Sequence, residues 1–322
     1  MTVTLAFNRE TLRFRADFRI TGSQCRLSTN SYNVLRQAIP WQAPEECDNT
    51  PSFQMEIIEN SSLDSITGKL PHFRGVRHLV FVMLEPRSFL GYDLLRRRVI
   101  GVLSSAAVHD RSFWNGQLLP ITIGVMGTTL GVAPLHCACL DRSGNGLLLT
   151  GASGAGKSTL SAALAQRGFA LVSDDWTYLA RRQSNLTAHG LFAPIKLLPN
   201  SVQYFPELTK CVLKKTMNGE IAYEVDPARV LRSVVKTYSH PKWILFLERS
   251  AIPGCRFIPC RGEHVAQFFE SNAERLPEEL PLAKSARSEI ITALAGCQAW
   301  LLRTGDGPHR TAESVNRFLE EV

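Results

Sequence analysis

A strand, a glycine-rich turn and a helix follow one another between Gly146 and Gly168, in GLLLTGASGAGKSTLSAALAQRG, and no other feature constrains the fold of this chain as much. Gly151, Gly156, Lys157 and Ser158 satisfy the spacing G-x-x-x-x-G-K-S. The apolar run GLLLT precedes it, Leu160, Ala163 and Leu164 follow on one helical face, and Gly168 stands where a helix C-terminus takes a glycine. Such glycines let the backbone wrap an anion closely, so that successive N–H groups and the positive end of the helix face the same space. The pattern assigns Gly151, Ala152, Ser153, Gly154, Ala155, Gly156, Lys157, Ser158 and Thr159 to the phosphates of a nucleotide. Lys157 would reach the β and γ phosphates, and the Ser158 hydroxyl would complete a Mg²⁺ shell.

The next strand, FALVS, runs into Asp174 and Asp175. In an α/β sheet ligands gather at the carboxyl ends of strands, so both carboxylates are expected beside the phosphates. There one acid can hold Mg²⁺ while the other accepts a proton from an attacking hydroxyl.

From about Leu118 the apolar runs ITIGV, GLLLTG, FALVS and WILFLE read as strands, alternating with helices such as STLSAALAQR and SEIITALAGC. The expected class is α/β, a mainly parallel or mixed sheet with flanking helices, over residues 118–322. Residues 1–117 read as an accessory region. There TLRFRADFRI and SFQMEII are strands, and SYNVLRQAI is a short helix closed by Pro40 and the polar run from Trp41 to Pro51. Leu79 to Val108 reads as helical.

Of the 322 residues 44% are hydrophobic and 20% charged, which excludes disorder, collagen-like repeats and coiled-coil arrays. The net charge of +7 is spread along the chain, with 14 basic against 11 acidic residues before Leu118 and 22 against 18 from there on. The run Arg96 to Arg98 reads as the solvated face of a helix-like stretch, and no interleaving of aromatic and basic residues points to nucleic acid. Eight cysteines without paired Cys-x-x-Cys units fit neither a disulfide scaffold nor a zinc site; they read as buried thiols in a reducing compartment. In LHCACL a strand would turn Cys137 and Cys139 one way and His136 the other. The N-terminal MTVTLAFNRE lacks a signal-peptide pattern, and the uncharged stretch Ser112 to Leu140 reads as two strands, LPITIGV and GVAPLHCACL, around a turn at MGTTLG. A cytoplasmic protein without membrane contact is expected.

GASGAGKST followed by ALAQRGFALVSDD resembles the catalytic domain of the HPr kinase family, bacterial serine kinases, over Leu135 to Asp175. The resemblance implies an HPr kinase/PEP carboxykinase-like fold with ATP and Mg²⁺ as cofactors. It makes Lys157 and Ser158 ligands of ATP and magnesium, Asp174 the catalytic base and Asp175 a helper of the metal, and His136 matches the histidine that the family places before the loop. The Glu-x-Arg-Gly-x-Gly segment and the basic Pro-rich loop of the HPr enzymes are absent; Glu224 in GEIAYEVDP occupies a comparable stretch. The segment FPEL, Phe205 to Leu208, is similar to a broader group of HPr-kinase-like proteins, some of which modify peptides or small molecules. Glu248 and Arg249, which end WILFLER, and Arg261 read either as a metal-side acid and charge-neutralising arginines or as peripheral ion pairs. Neither the Leu-Ser-Gly-Gly-Gln of a transporter ATPase nor the Asn-Lys-x-Asp of a GTPase is present. The expected activity is transfer of the γ-phosphoryl group of ATP to a hydroxyl, serine in a protein or peptide; a small-molecule or natural-product peptide kinase and a nucleotide-responsive binding module are the alternatives. HPr enzymes form hexamers, and the sequence leaves an oligomer open.

Overall fold

Alternating burial turns much of the N-terminal part of the chain into a sheet. The computed structural model describes residues 12–38, 51–60, 71–85, 88–182, 185–191, 194–216, 219–272 and 281–322. MTVTLAFNRE and the run from Trp41 to Thr50 lie outside them. Contacts divide the chain into one unit, Met1–Leu130, and a second, Gly131–Glu274 with Pro281–Val322.

The first unit contains β1 (Phe14–Ile20), β2 (Ser23–Thr29), α1 (Tyr32–Ala38), β3 (Phe53–Asn60), β4 (His72–Val76), β5 (Leu79–Glu85), β6 (Ser88–Asp93) and β7 (Arg98–Ser104). The helices α2 (Ser105–His109), α3 (Arg111–Phe113) and α4 (Leu119–Met126) follow. The sheet runs β1-β2-β3-β7-β6-β5-β4, with parallel pairs at β2–β3 and β3–β7.

Two sequence expectations are corrected here. Leu79 to Val108 is three strands and a short helix, not a helix throughout. Val80, Val82 and Leu84 are buried with the period of two that a strand requires, but the outward residues Phe81 and Met83 are apolar as well, which hides the alternation. Arg96 and Arg97 lie in the turn between β6 and β7, where Arg96 pairs with Asp93 at 2.9 Å. LPITIGV is also not a strand. It forms most of α4, with Pro120 directly after the wide helical turn Trp114–Leu118 and Thr122 facing the Tyr92 hydroxyl of β6 at 3.2 Å. Both faces of this segment are apolar, so neither period stands out. α4 belongs to the first unit, whose contacts run to Leu130.

The second unit is built from β8 (Val132–Leu135), β9 (Ala138–Arg142), β10 (Asn145–Thr150), α5 (Lys157–Ala165), β11 (Ala170–Ser173), β12 (Thr177–Arg182) and β13 (Asn185–His189). After β14 (Ile195–Leu197), β15 (Leu213–Lys215), β16 (Ile221–Val225) and α6 (Pro227–Val230) comes the long β17 (Tyr238–Arg249). The chain ends with β18 (Cys255–Pro259), α7 (Gly262–Ser271), α8 (Pro281–Ala295), β19 (Gln298–Thr304) and α9 (Pro308–Glu321).

The main sheet has the order β11-β9-β10-β17-β13-β12-β8, and β19 pairs β17 and β18. It is mixed. β10 is parallel to β17 and β17 to β19, whereas β9 is antiparallel to both β10 and β11. The strands β10, β11, β17 and β19 therefore run the same way and end on one edge. β10 is covered on both faces, which explains its unbroken LLL: Leu147 and Leu149 belong to one apolar cluster, with Leu160, Ala163 and Leu164 of α5, and Leu148 belongs to the other. Each fully buried leucine contributes about 1.5–3 kcal/mol relative to an exposed one. The strands β14, β16 and β15 form a separate small sheet. Among the described residues no helix is long and apolar enough to cross a membrane.

Candidate functional site

The shared edge brings the sequence candidates together. β10 ends in the glycine loop, and β11 ends at Ser173, directly before the two acids. Cys139 of β9 faces Leu148 on one side and Ser173 on the other, so loop and acids leave the sheet at nearly the same level, two strand spacings or about 10 Å apart.

The loop needs its glycines. Gly151 has φ of 143°, and a Cβ there would lie 2.7 Å from the Leu247 carbonyl oxygen of β17. Gly156, at φ 99°, caps α5 in the left-handed region, and a Cβ there would lie 2.9 Å from Nη2 of Arg249. Lys157 opens α5 and folds back across the loop, its Nζ donating to the carbonyl oxygens of Gly151 at 2.9 Å and Ala152 at 3.3 Å. Burial lowers the Lys157 pKa, and the charges of Asp175 and Asp174 oppose that shift. Lysine and acids therefore share one electrostatic neighbourhood without a direct ion pair.

The two acids have different surroundings. Asp174 is 9% exposed, and its Oδ1 has no hydrogen-bond partner. Its Oδ2 accepts a long bond, 3.4 Å, from the Lys196 amide, and the Ser158 hydroxyl also bonds to the carboxyl. Burial raises its pKa to about 7, the Ser158 hydroxyl pulling it down and the Asp175 charge pushing it further up. Asp175 is half-exposed, and its Oδ1 lies 2.7 Å from Nε2 of His136. Burial raises its pKa too, but the His136 bond, with the charges of His136, Lys196 and Lys157, carries the net shift downward. Of two neighbouring carboxyls, one is kept near neutrality and the other is held ionised. A hydroxyl pair braces the crossing beneath them: Ser173 and Thr177 lie 2.6 Å apart, and Thr177 donates to the Cys137 carbonyl at 2.7 Å.

His136 follows β8 and points outward to Asp175 and the ring of Trp176, 5.5 Å away, while Cys137 and Cys139 are fully buried. The single strand expected over GVAPLHCACL is instead β8 and β9 with His136 and Cys137 in the break between them, so the outward histidine is set by that break and not by strand alternation. Lys196 has no motif to announce it. It reaches the acids because β14 lies beside them, and its cross-strand partner is Glu224, which sets the two on the same face of the small sheet. Arg249 ends β17 against the loop. Glu248 instead pairs with Arg303 at 2.9 Å, and Arg261 is the N-cap of α7; nothing links either to the acids. In FPEL, Phe205 and Leu208 are fully buried in the cluster that α5 and α9 share, so the segment packs the core.

The donor set suits a small hard cation only together with a ligand that brings its own oxygens. No group of three His, Cys, Asp or Glu side chains able to hold a metal occurs among the described residues. Asp174 Oδ1 is a buried carboxylate oxygen without a donor, the Ser158 hydroxyl is beside Asp174, and the His136 bond leaves Asp175 its second oxygen. Two carboxylates, a hydroxyl and phosphate oxygens are what Mg²⁺ takes.

No curated protein matches the chain in sequence. A solved structure of the Hpr(Ser) kinase/phosphatase from Coxiella burnetii matches with 15% identity and a TM-score of 0.32, over 58% of this chain and 94% of that one. Residues 131–193 match the family described as HPr Serine kinase C-terminal domain. The glycine loop, His136 and both acids all lie inside that stretch, so it is in its site-bearing segment that this chain is similar to the HPr kinase family.

Proposed function

We propose that this protein is an ATP- and Mg²⁺-dependent kinase that transfers the γ-phosphoryl group to a hydroxyl, serine of a protein or peptide. The observation that carries the reading is the buried Asp174, with a pKa of about 7 and an oxygen free of donors, placed beside a loop built to hold phosphates. A base whose pKa lies near the working pH is both unprotonated often enough and basic enough to take a proton in the transition state.

Asp174 receives the proton of the acceptor hydroxyl as its oxygen attacks the γ-phosphorus. The bond between that phosphorus and the β–γ bridging oxygen breaks, and ADP leaves. Lys157 exchanges its bonds to the Gly151 and Ala152 carbonyls for the phosphates and, with the loop amides, neutralises charge on the moving group. His136 fixes Asp175 in its ionised form. Ser158 and Asp175 would hold Mg²⁺, which supplies positive charge at the β and γ oxygens. The seven described cysteines are free thiols, which suits a reducing cytoplasm.

The test is transfer from γ-labelled ATP to serine peptides and to a lysate separated by molecular size. Asp174→Asn should retain ATP binding and lose about a hundredfold or more in transfer. Unchanged turnover in that variant would remove the base from the scheme.

A further inference from the structure

The sheet of the first unit carries its helices on one face. Phe14 of β1 meets the Tyr32 ring of α1, and Tyr92 of β6 meets Thr122 of α4, on the side where Phe18, Leu27, Met55, Val80 and Leu90 are buried. The cross-strand pairs define the opposite face. There Ile58 stands beside Val102, Val102 beside Phe89 and Phe89 beside Met83, while Ile100 and Phe81 flank Gly91 in the neighbouring row. Ile58, Phe89, Ile100 and Val102 are partly exposed, and Phe81 and Met83 are 44% and 42% exposed. A sheet face turned to water ordinarily alternates to polar residues, and a contiguous apolar patch in its place marks an interaction surface.

The charges around the patch say what fits it. Three acids of this face are already neutralised, Asp17 by Arg26, Glu56 by Arg98 and Asp93 by Arg96. Arg15 and Arg19 on the edge strand β1 and Arg74 on the edge strand β4 are exposed and form no ion pair with another described residue. The apolar strip therefore lies between two basic margins. A second copy of this chain would set the same margins against each other, like charge on like. A lipid surface would have to bury the Glu56–Arg98 pair, which lies beside Ile100 on the same face. The longer apolar row crosses β3, β7, β6 and β5, three strand spacings or about 14 Å, which about ten residues of helix would cover. The six spacings from β1 to β4, about 29 Å, need about nineteen.

We infer that this face docks an acidic amphipathic helix of a partner protein. The helix lies across the strands with its apolar stripe on Ile58, Val102, Phe89, Met83 and Phe81, and its Asp and Glu side chains reach Arg74 at one margin and Arg15 at the other. The surface belongs to the first unit alone, so the inference does not depend on the kinase reading.

A displayed library of random peptides of about 20 residues, selected on the full chain, tests this. The winners should be net acidic with apolar residues at i, i+3, i+4 and i+7. In fluorescence anisotropy, the double variant Phe81→Ser, Met83→Ser should bind a winning peptide about tenfold or more weakly, and Arg74→Glu about fivefold or more weakly. Both apolar side chains are exposed, so the double variant should keep the wild-type urea midpoint. In the wild-type protein, a winner carrying a photoreactive leucine in its apolar stripe should crosslink to β5 or β6, which needs no variant to fold. Winners that are basic, that alternate with a period of two, that crosslink elsewhere or that bind the double variant equally well would overturn the proposal. So would cosedimentation with phosphatidylserine vesicles that the double variant abolishes, or a dimer in sedimentation velocity that it splits, since a membrane or a second copy would then cover the face.

Discussion

Keeping Asp174 buried has a consequence for folding that can be measured without any substrate. Its pKa rises from 3.8 to about 7 on folding, because burial penalises the carboxylate. A raised acid contributes stability below its unfolded value, and that contribution disappears as pH climbs through the folded value. Roughly three pKa units at 1.36 kcal/mol each set the full loss at about 4 kcal/mol, and about 2–3 kcal/mol of it falls between pH 5 and pH 8. Asparagine has the same shape and no charge to bury. Denaturant unfolding of the ligand-free wild type and Asp174→Asn, at several pH values over that range, should show the variant gaining on the wild type as pH rises. An offset between the two that does not vary with pH would refute the reasoning, since the carboxylate would then be ionised at no expense to the fold.

Two further outcomes follow from the geometry. His136→Ala removes the hydrogen bond that holds the Asp175 pKa down, so the Asp175 carboxyl should titrate at higher pH than in the wild type, as read from its side-chain ¹³C NMR shift across a pH titration; an unmoved titration would detach His136 from Asp175. Gly151→Ala should destabilise the protein by about 1–3 kcal/mol in denaturant unfolding, because its φ of 143° is strained for alanine and the new Cβ meets the Leu247 carbonyl, whereas Gly154→Ala, with open space around it, should lose less.

How much of this was legible in the sequence depended on whether the signal was local. The loop, α5 and the acids at the end of β11 could be read directly, because glycine spacing, helical period and strand end all lie within thirty residues and agree. β5 to β7 could not, since Phe81 and Met83 put apolar side chains on the outward face and erased the alternation that Val80 and Val82 keep. α4 was misread as a strand because nothing charged marks either face of LPITIGV. The surroundings of Glu224 and Glu248 depend on pairings between distant strands. Register sets Glu248 against Arg303 and Glu224 against Lys196, and no residue near Lys196 in the chain announces that its amide meets Asp174.

β9 lies between the strand that carries the loop and the strand that carries the acids, antiparallel to both. It acts as a ruler. The gap across which a phosphoryl group would travel is set by two rows of main-chain hydrogen bonds, which no side-chain replacement can lengthen or shorten. In the proposed kinase, acceptor preference would drift through changes around the site while the spacing of the strands that carry lysine and carboxylate stays as the main chain sets it, and an enzyme engineer could exchange the surrounding walls without resetting that span.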